Sequence, residues 1–157
     1  METKTLKIFS IALISVALMS CTGNSTSLLI SVKDYTFART GQDGQMEQVG
    51  DPALFMRGED VHLVLLDVGP FKKDDSGLNW FDIDMEVTDP DGNIIFSKAG
   101  MLGEAGHLAL ENNRAESPYG SLTNTIDLEP GKYKFMLTIY DRLGKGKSSQ
   151  IAYFTLE

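Results

Sequence analysis

The densest group of groups able to hold a cation in this 157-residue chain is a set of carboxylates, Asp67, Asp74, Asp75 and Asp82, followed by Asp84 and Glu86. Calcium takes six to eight oxygens that converge from loops and strand ends, and Asp67, Asp74, Asp75 and Asp82 are the four such a site would use. Their spacing argues against it. Along an extended strand, side chains at i and i+2 stand about 7 Å apart and diverge. No EF-hand spacing occurs, and Asp89-Pro90-Asp91-Gly92 reads as a tight turn. The expectation is a solvated acidic face paired with Lys132 and Lys134, and no cofactor.

Acid–base chemistry is thinner still. His62 and His107 are the only histidines and Cys21 the only cysteine, too few for a zinc or copper centre. Glu104, His107 and Glu111 could serve a small hydrolase, but no nucleophile elbow, phosphate loop or dinucleotide fingerprint accompanies them. An enzyme is not expected. Loop aromatics fit recognition better, because rings near strand ends suit sugars and protein hot spots alike. Pro70-Phe71, Asn79-Trp80-Phe81 and Ser117-Pro118-Tyr119-Gly120 supply them. Phe71 and Phe81 are assigned to the core, which leaves Trp80 and Tyr119 as the ligand-binding candidates.

The elements that must position these residues are strands. After residue 30, alternation and turn signals dominate over any helical repeat. Strands are predicted at 28–37, 61–68, 80–88, 94–97, 121–128, 132–140 and 150–156, with a brief one at 107–110 and a short hairpin around Gln42-Asp43-Gly44. In 80–88, Phe81, Ile83, Met85 and Val87 share one face; in 132–140, Tyr133, Phe135, Leu137 and Ile139 do. His62 is expected half exposed in a central strand covered in part on its outer side. About seven short strands without helical crossovers predict an all-β, immunoglobulin-like antiparallel sandwich.

Leu128-Glu129-Pro130-Gly131-Lys132-Tyr133 resembles the tyrosine-corner segment of fibronectin type III and macroglobulin-like domains. The resemblance implies that the Tyr133 hydroxyl bonds upstream backbone and locks the corner. In such folds the third and sixth strands are antiparallel neighbours. Laying 80–88 against 132–140 predicts Glu86 opposite Lys134 and Trp80 opposite Tyr140, pairs that favour cross-strand stabilisation.

The first residues read as an address. Lys4 and Lys7 precede an apolar run from Ile8 to Met19, the length of a secretory core and too short to span a bilayer. Leu18-Met19-Ser20-Cys21 resembles the lipobox of bacterial lipoproteins. The resemblance implies a signal peptide at 1–20, acylation of Cys21 and a polar tether over 21–27, ahead of the sandwich at 28–157. Several acyl chains on one residue anchor stably where one does not. In such lipoproteins an aspartate after the cysteine holds the protein in the inner membrane. Thr22 implies the outer membrane instead, and no acidic run follows Cys21, which implies a periplasm-facing protein.

Charge narrows the partners. The formal net charge is -8, and because Lys4, Lys7 and Glu2 contribute +1, residues 21–157 carry -9. So acidic a surface repels phosphate backbones, so nucleic acid is not an expected partner. With a single cysteine, no disulfide can form within the chain, and the core must hold the domain. The expected function is a non-enzymatic, lipid-anchored cell-envelope protein that binds a protein or glycan through its loops. The alternative is an assembly subunit acting by sheet-edge pairing.

Overall fold

A computed structural model describes residues 29–157; the expected signal peptide, Cys21 and the tether lie outside the described residues. Ten strands follow in order: β1 (Ser31–Thr40), β2 (Met46–Val49), β3 (Leu54–Phe55), β4 (Val61–Gly69), β5 (Asn79–Thr88), β6 (Ile94–Lys98), β7 (His107–Leu108), β8 (Tyr119–Leu122), β9 (Gly131–Asp141) and β10 (Lys147–Leu156). They form a β-sandwich. The smaller sheet runs β2-β1-β4-β8, and the larger runs β3-β10-β9-β5-β6 with β7 also on β5. The seven strands read from sequence each have a counterpart, the brief strand expected at 107–110 is β7, and the hairpin expected around Gln42-Asp43-Gly44 joins β1 to β2, which leaves the two-residue β3 as the addition. One pairing departs from the antiparallel expectation: β3 runs parallel to the end of β10. Among the described residues no helix is long and apolar enough to cross a membrane.

The alternation that predicts the strands is the alternation that builds the core. Tyr133, Phe135, Leu137 and Ile139 of β9 are buried, as are Phe81, Ile83, Met85 and Val87 of β5. Each such side chain contributes about 1.5–3 kcal/mol by leaving water. Across from them, Val61, Leu63 and Leu65 of β4 line the inner face of the smaller sheet. Phe37, Phe55 and Phe154 close one end, with ring centroids 5.7–6.1 Å apart. The Tyr133 hydroxyl donates to the Glu129 carbonyl at 2.6 Å, so the ring fills the core while its polar tip closes the corner.

His62 is not half exposed. Its residue is 6% exposed because both ring nitrogens are engaged: Nε2 lies 2.9 Å from Thr40 Oγ1 and Nδ1 2.7 Å from Ser121 Oγ. β4 sits between β1 and β8, so a polar side chain on its outer side is walled in by both neighbours.

The strand expected at 121–128 stops at Leu122. A 3-10 turn over Thr125–Asp127 replaces the rest, entered through Asn124 in the left-handed region at φ 57°. There the buried Thr125 hydroxyl donates to Glu59 O and accepts from Gly58 N–H, while Ile126 turns outward, 58% exposed. Side-chain bonding to a distant loop has outcompeted the ladder.

β5 and β9 are antiparallel neighbours, but in a different register from the one predicted. Glu86 faces Met136, Thr88 faces Lys134 and Asp82 faces Tyr140. The pairing is displaced by two residues. A two-residue slip preserves the face of every side chain, so alternation alone cannot distinguish the two registers.

Candidate functional site

The outer face of the larger sheet carries the candidate site. Three aligned strands give it cross-strand rungs: Thr88–Lys134–Tyr153, Glu86–Met136–Ile151, Asp84–Thr138–Ser149 and Asp82–Tyr140–Lys147. Trp80 follows at the far end.

That end is built by a loop laid along β5. After β6 the chain continues beside β5, with Met101 N–H bonding Ile83 O, and returns as β7. The outer side chains of β5 hold this loop by its backbone. Asp84 accepts from Gly100 N–H at 2.9 Å, Asp82 from Leu102 N–H at 2.8 Å, and the Trp80 indole donates to Gly103 O at 3.1 Å. Asp82 is fully buried, also accepts from Ile83 N–H at 2.9 Å, and takes the Arg142 guanidinium at 3.0 Å. Gly106 lets the loop return: a Cβ there would lie 1.9 Å from the Phe81 carbonyl oxygen.

The carboxylates are therefore not a solvated face paired with Lys132 and Lys134. Amide donors and one arginine do for Asp82 and Asp84 what those lysines were expected to do. The four residues of the calcium reading are dispersed. Asp67, at the end of β4 in the smaller sheet with φ 49°, is bonded to Arg114. Asp74 accepts from Ser76 and Leu78 N–H and meets His107 Nε2 at 2.8 Å. That hydrogen bond from His107, reinforced by Leu78 N–H, holds the Asp74 carboxyl below the usual range. Asp75 is exposed. Among the described residues no three His, Cys, Asp or Glu side chains converge to hold a metal.

Trp80 and Tyr119 stand on different sheets and share no site. The imidazole of His107 stacks on the Trp80 ring, with centroids 4.9 Å apart and planes at 23°, and Arg142 Cζ lies 4.6 Å from its centroid. β7 and the end of β9 flank β5 from opposite sides, so both neighbours confine the indole, which acts as a wall of the face. Tyr119, 47% exposed, sits on the smaller sheet's outer face, edge-on to His62 at 6.0 Å. Glu104 and Glu111 lie in separate 3-10 turns.

Two depressions open on the larger sheet's outer face. A trough of about 260 Å³ is lined by Asp84, Glu86, Ser97, Lys98, Thr138 and Lys147, with Met136 among its walls. Among the described residues, Glu86, Lys98 and Lys147 make no ion pair. Beyond it, an open hollow of about 540 Å³ lies between the Thr88–Gly92 turn, Lys132, Lys134 and Tyr153. Tyr153 is 54% exposed, and Lys132 Nζ stands 4.8 Å from its ring centroid. Tyr140 lies one rung past the trough. Burial, and then the nearby Asp82 and Asp84 carboxylates, push its hydroxyl up, so it stays protonated as a donor. Sequence reasoning passed over Tyr153 and Lys147, and read Glu86 only as part of an acidic face paired with lysine. The signal available was the outward parity of the final strand, whose odd positions pair rung by rung with β9.

No known family profile matches the sequence, and no curated protein matches it. Among solved structures, the crystal structure of the C-terminal domain of Wzt superposes with a TM-score of 0.51, covering 82% of this chain and 73% of that one at 12% identity. At that identity the likeness is one of fold.

Proposed function

We propose that this chain is a non-enzymatic, lipid-anchored cell-envelope protein whose sandwich binds a glycan on the outer face of the larger sheet. The observation that carries the binding reading is the trough itself. The Glu86 carboxylate and the Lys98 and Lys147 amines, none in an ion pair among the described residues, line an open groove with the Ser97 hydroxyl, and the exposed Tyr153 ring stands one rung beyond it. Sugars present just such a mixture of hydroxyls and apolar ring faces, which polar side chains and aromatic platforms match. The site is a sheet face rather than the strand-end loops to which Trp80 and Tyr119 pointed. The non-catalytic reading draws on His107, which is hydrogen-bonded to Asp74 and stacked on Trp80 instead of meeting Glu104 or Glu111. The anchor reading draws on Leu18-Met19-Ser20-Cys21.

A glycan array probed with the full chain tests the binding. Glu86→Gln and Tyr153→Ala should each weaken the best hits about tenfold or more while leaving thermal unfolding unchanged. A blank array, or hits indifferent to both changes, would reject the reading. For the anchor, a fatty-acid probe should label the wild type and not Cys21→Ala; equal labelling of both would remove it.

One observation favours the sheet-edge reading as a second proposal. β3 covers only Thr155 and Leu156 of β10, which leaves 147–153 without a strand on that side among the described residues. Thr155 N–H points toward β3, bonding Ala53 O, so by alternation Ser149, Ile151 and Tyr153 aim their N–H groups at the same open edge. An extended partner segment could pair there. Ile151→Pro removes one such donor without touching the β9 ladder. Crosslinking in intact cells should yield one abundant partner with the wild type and lose it with this variant.

A further inference from the structure

The hollow beyond the trough has a different chemistry from the trough, and we infer that it is a subsite for an acidic group carried by the glycan, a carboxylate, phosphate or sulfate on a sugar ring. This deepens the glycan reading and rests on it. The outer face mixes charges at one end, where Lys98 and Lys147 stand among the carboxylates, and is mainly basic at the other. Toward Trp80 its rungs carry Asp82, Asp84 and Glu86; toward Tyr153 they carry Lys134, and Lys132 one position further along the same side of β9. In a chain of net charge -8, these two neighbouring lysines on one face make no ion pair among the described residues. At i and i+2 they stand about 7 Å apart, close enough for both ammonium groups to reach one anion between them.

The other walls of the hollow fit the same ligand. Tyr153, opposite Lys134, offers a ring on which the apolar face of the sugar can lie. Lys132 Nζ already stands over that ring, which sets the charge beside the platform. The Asp89 carboxylate also lines the hollow and keeps its charge, but it is held on the turn by Asn93 N–H at 2.8 Å and the Asn93 amide at 3.1 Å, so two ammonium groups face one carboxylate there. Thr88, opposite Lys134 and 7% exposed, supplies the second, independent observation. Its Oγ1 is a buried side-chain oxygen with no hydrogen-bond partner, and Thr88 lines the hollow. A buried hydroxyl left unsatisfied is destabilising in the unliganded fold, and an oxygen-rich anion seated between the lysines would satisfy it.

Uronate-, phosphate- and sulfate-bearing oligosaccharides and their neutral counterparts, titrated against the full chain by calorimetry with inorganic phosphate as a separate probe, test this. The acidic members should bind about tenfold or more tightly than the neutral ones, and the preference should shrink as sodium chloride is raised. Lys132→Gln with Lys134→Gln should erase the preference and leave neutral binding in place. Thr88→Val should lower acidic binding without lowering the unfolding temperature, since the hydroxyl it removes has no partner in the unliganded protein. Neutral and acidic sugars binding alike, or an acid preference that survives the double lysine variant, would overturn the inference while the glycan reading stands. Phosphate binding as tightly as the sugar acids would overturn it in favour of a simple anion site. Failure of every sugar would bring down both.

Discussion

Replacing Asp82 tests how the acidic strand is used. Its carboxylate is wholly buried and accepts from Ile83 N–H, Leu102 N–H and the Arg142 guanidinium. Asp82→Ala leaves both amides without an acceptor, and each unmet donor costs about 1–3 kcal/mol, so the total is about 2–6 kcal/mol. Asp82→Asn keeps one oxygen for the amides and gives up the charge-assisted bond. The Arg142 side chain is 39% exposed and can turn to water, which discounts that loss to about 1–2 kcal/mol. Urea unfolding of the full chain reads the difference. With a slope of about 1.5 kcal/mol per molar, a 3 kcal/mol loss lowers the midpoint by about 2 M, and the asparagine change by about 1 M. The reasoning fails if alanine moves the midpoint by less than about 0.5 M, or if asparagine costs as much as alanine. It fails as well if millimolar calcium raises the melting temperature of the wild type and not of Asp82→Ala, because the carboxylate would then be a metal ligand.

Three further outcomes follow from the geometry. Tyr133→Phe removes only the hydroxyl bonded to Glu129 O and should cost about 1 kcal/mol, seen as a melting temperature about 3–6 °C lower; an unchanged melting temperature would mean the corner does not depend on that bond. Burial pushes the His62 imidazole below its usual range, opposed by the Asp60 charge. The unfolded chain therefore takes up a proton first, so this contribution to stability is complete above about pH 6.5 and is lost as pH falls from there through the lowered folded value. Urea midpoints compared at about pH 7.5 and 5.5 should drop more for the wild type than for His62→Gln, and equal drops would refute it. Gly106→Ala forces a side chain against the Phe81 carbonyl and should cost about 1–3 kcal/mol. It should also alter tryptophan fluorescence as His107 is carried off Trp80; an unchanged spectrum and midpoint would contradict this.

Much of the architecture was legible because inner-face alternation is a local property. Phe81 through Val87 and Tyr133 through Ile139 declare two central strands on their own, and Asp89-Pro90-Asp91-Gly92 announces the turn between β5 and β6. Register was less legible, since a displacement by two residues leaves the same side chains inside. The carboxylates were misread for a different reason. What Asp82 and Asp84 bind is the backbone of residues 100–102, and amide donors leave no mark in a sequence. Trp80 was visible as an aromatic beside a loop, but its partners His107 and Arg142 come from chain positions far enough away that no spacing rule links them. Tyr153 went unnoticed because the last strand read simply as a strand, and only pairing with β9 sets its ring beside Lys134.

β9 contains two independent sets of positions. Its odd residues, Tyr133 through Ile139, are locked among the rings and branched chains of the interior, while its even residues, Lys134 through Tyr140, lie on the exterior face, all but the buried Thr138 partly open to solvent. Exchanging one exterior side chain for another leaves the interior volume unaltered, so such changes carry little thermodynamic penalty. Lineages of this protein can therefore revise what the surface recognises, one position at a time, while the frame beneath it stays constant.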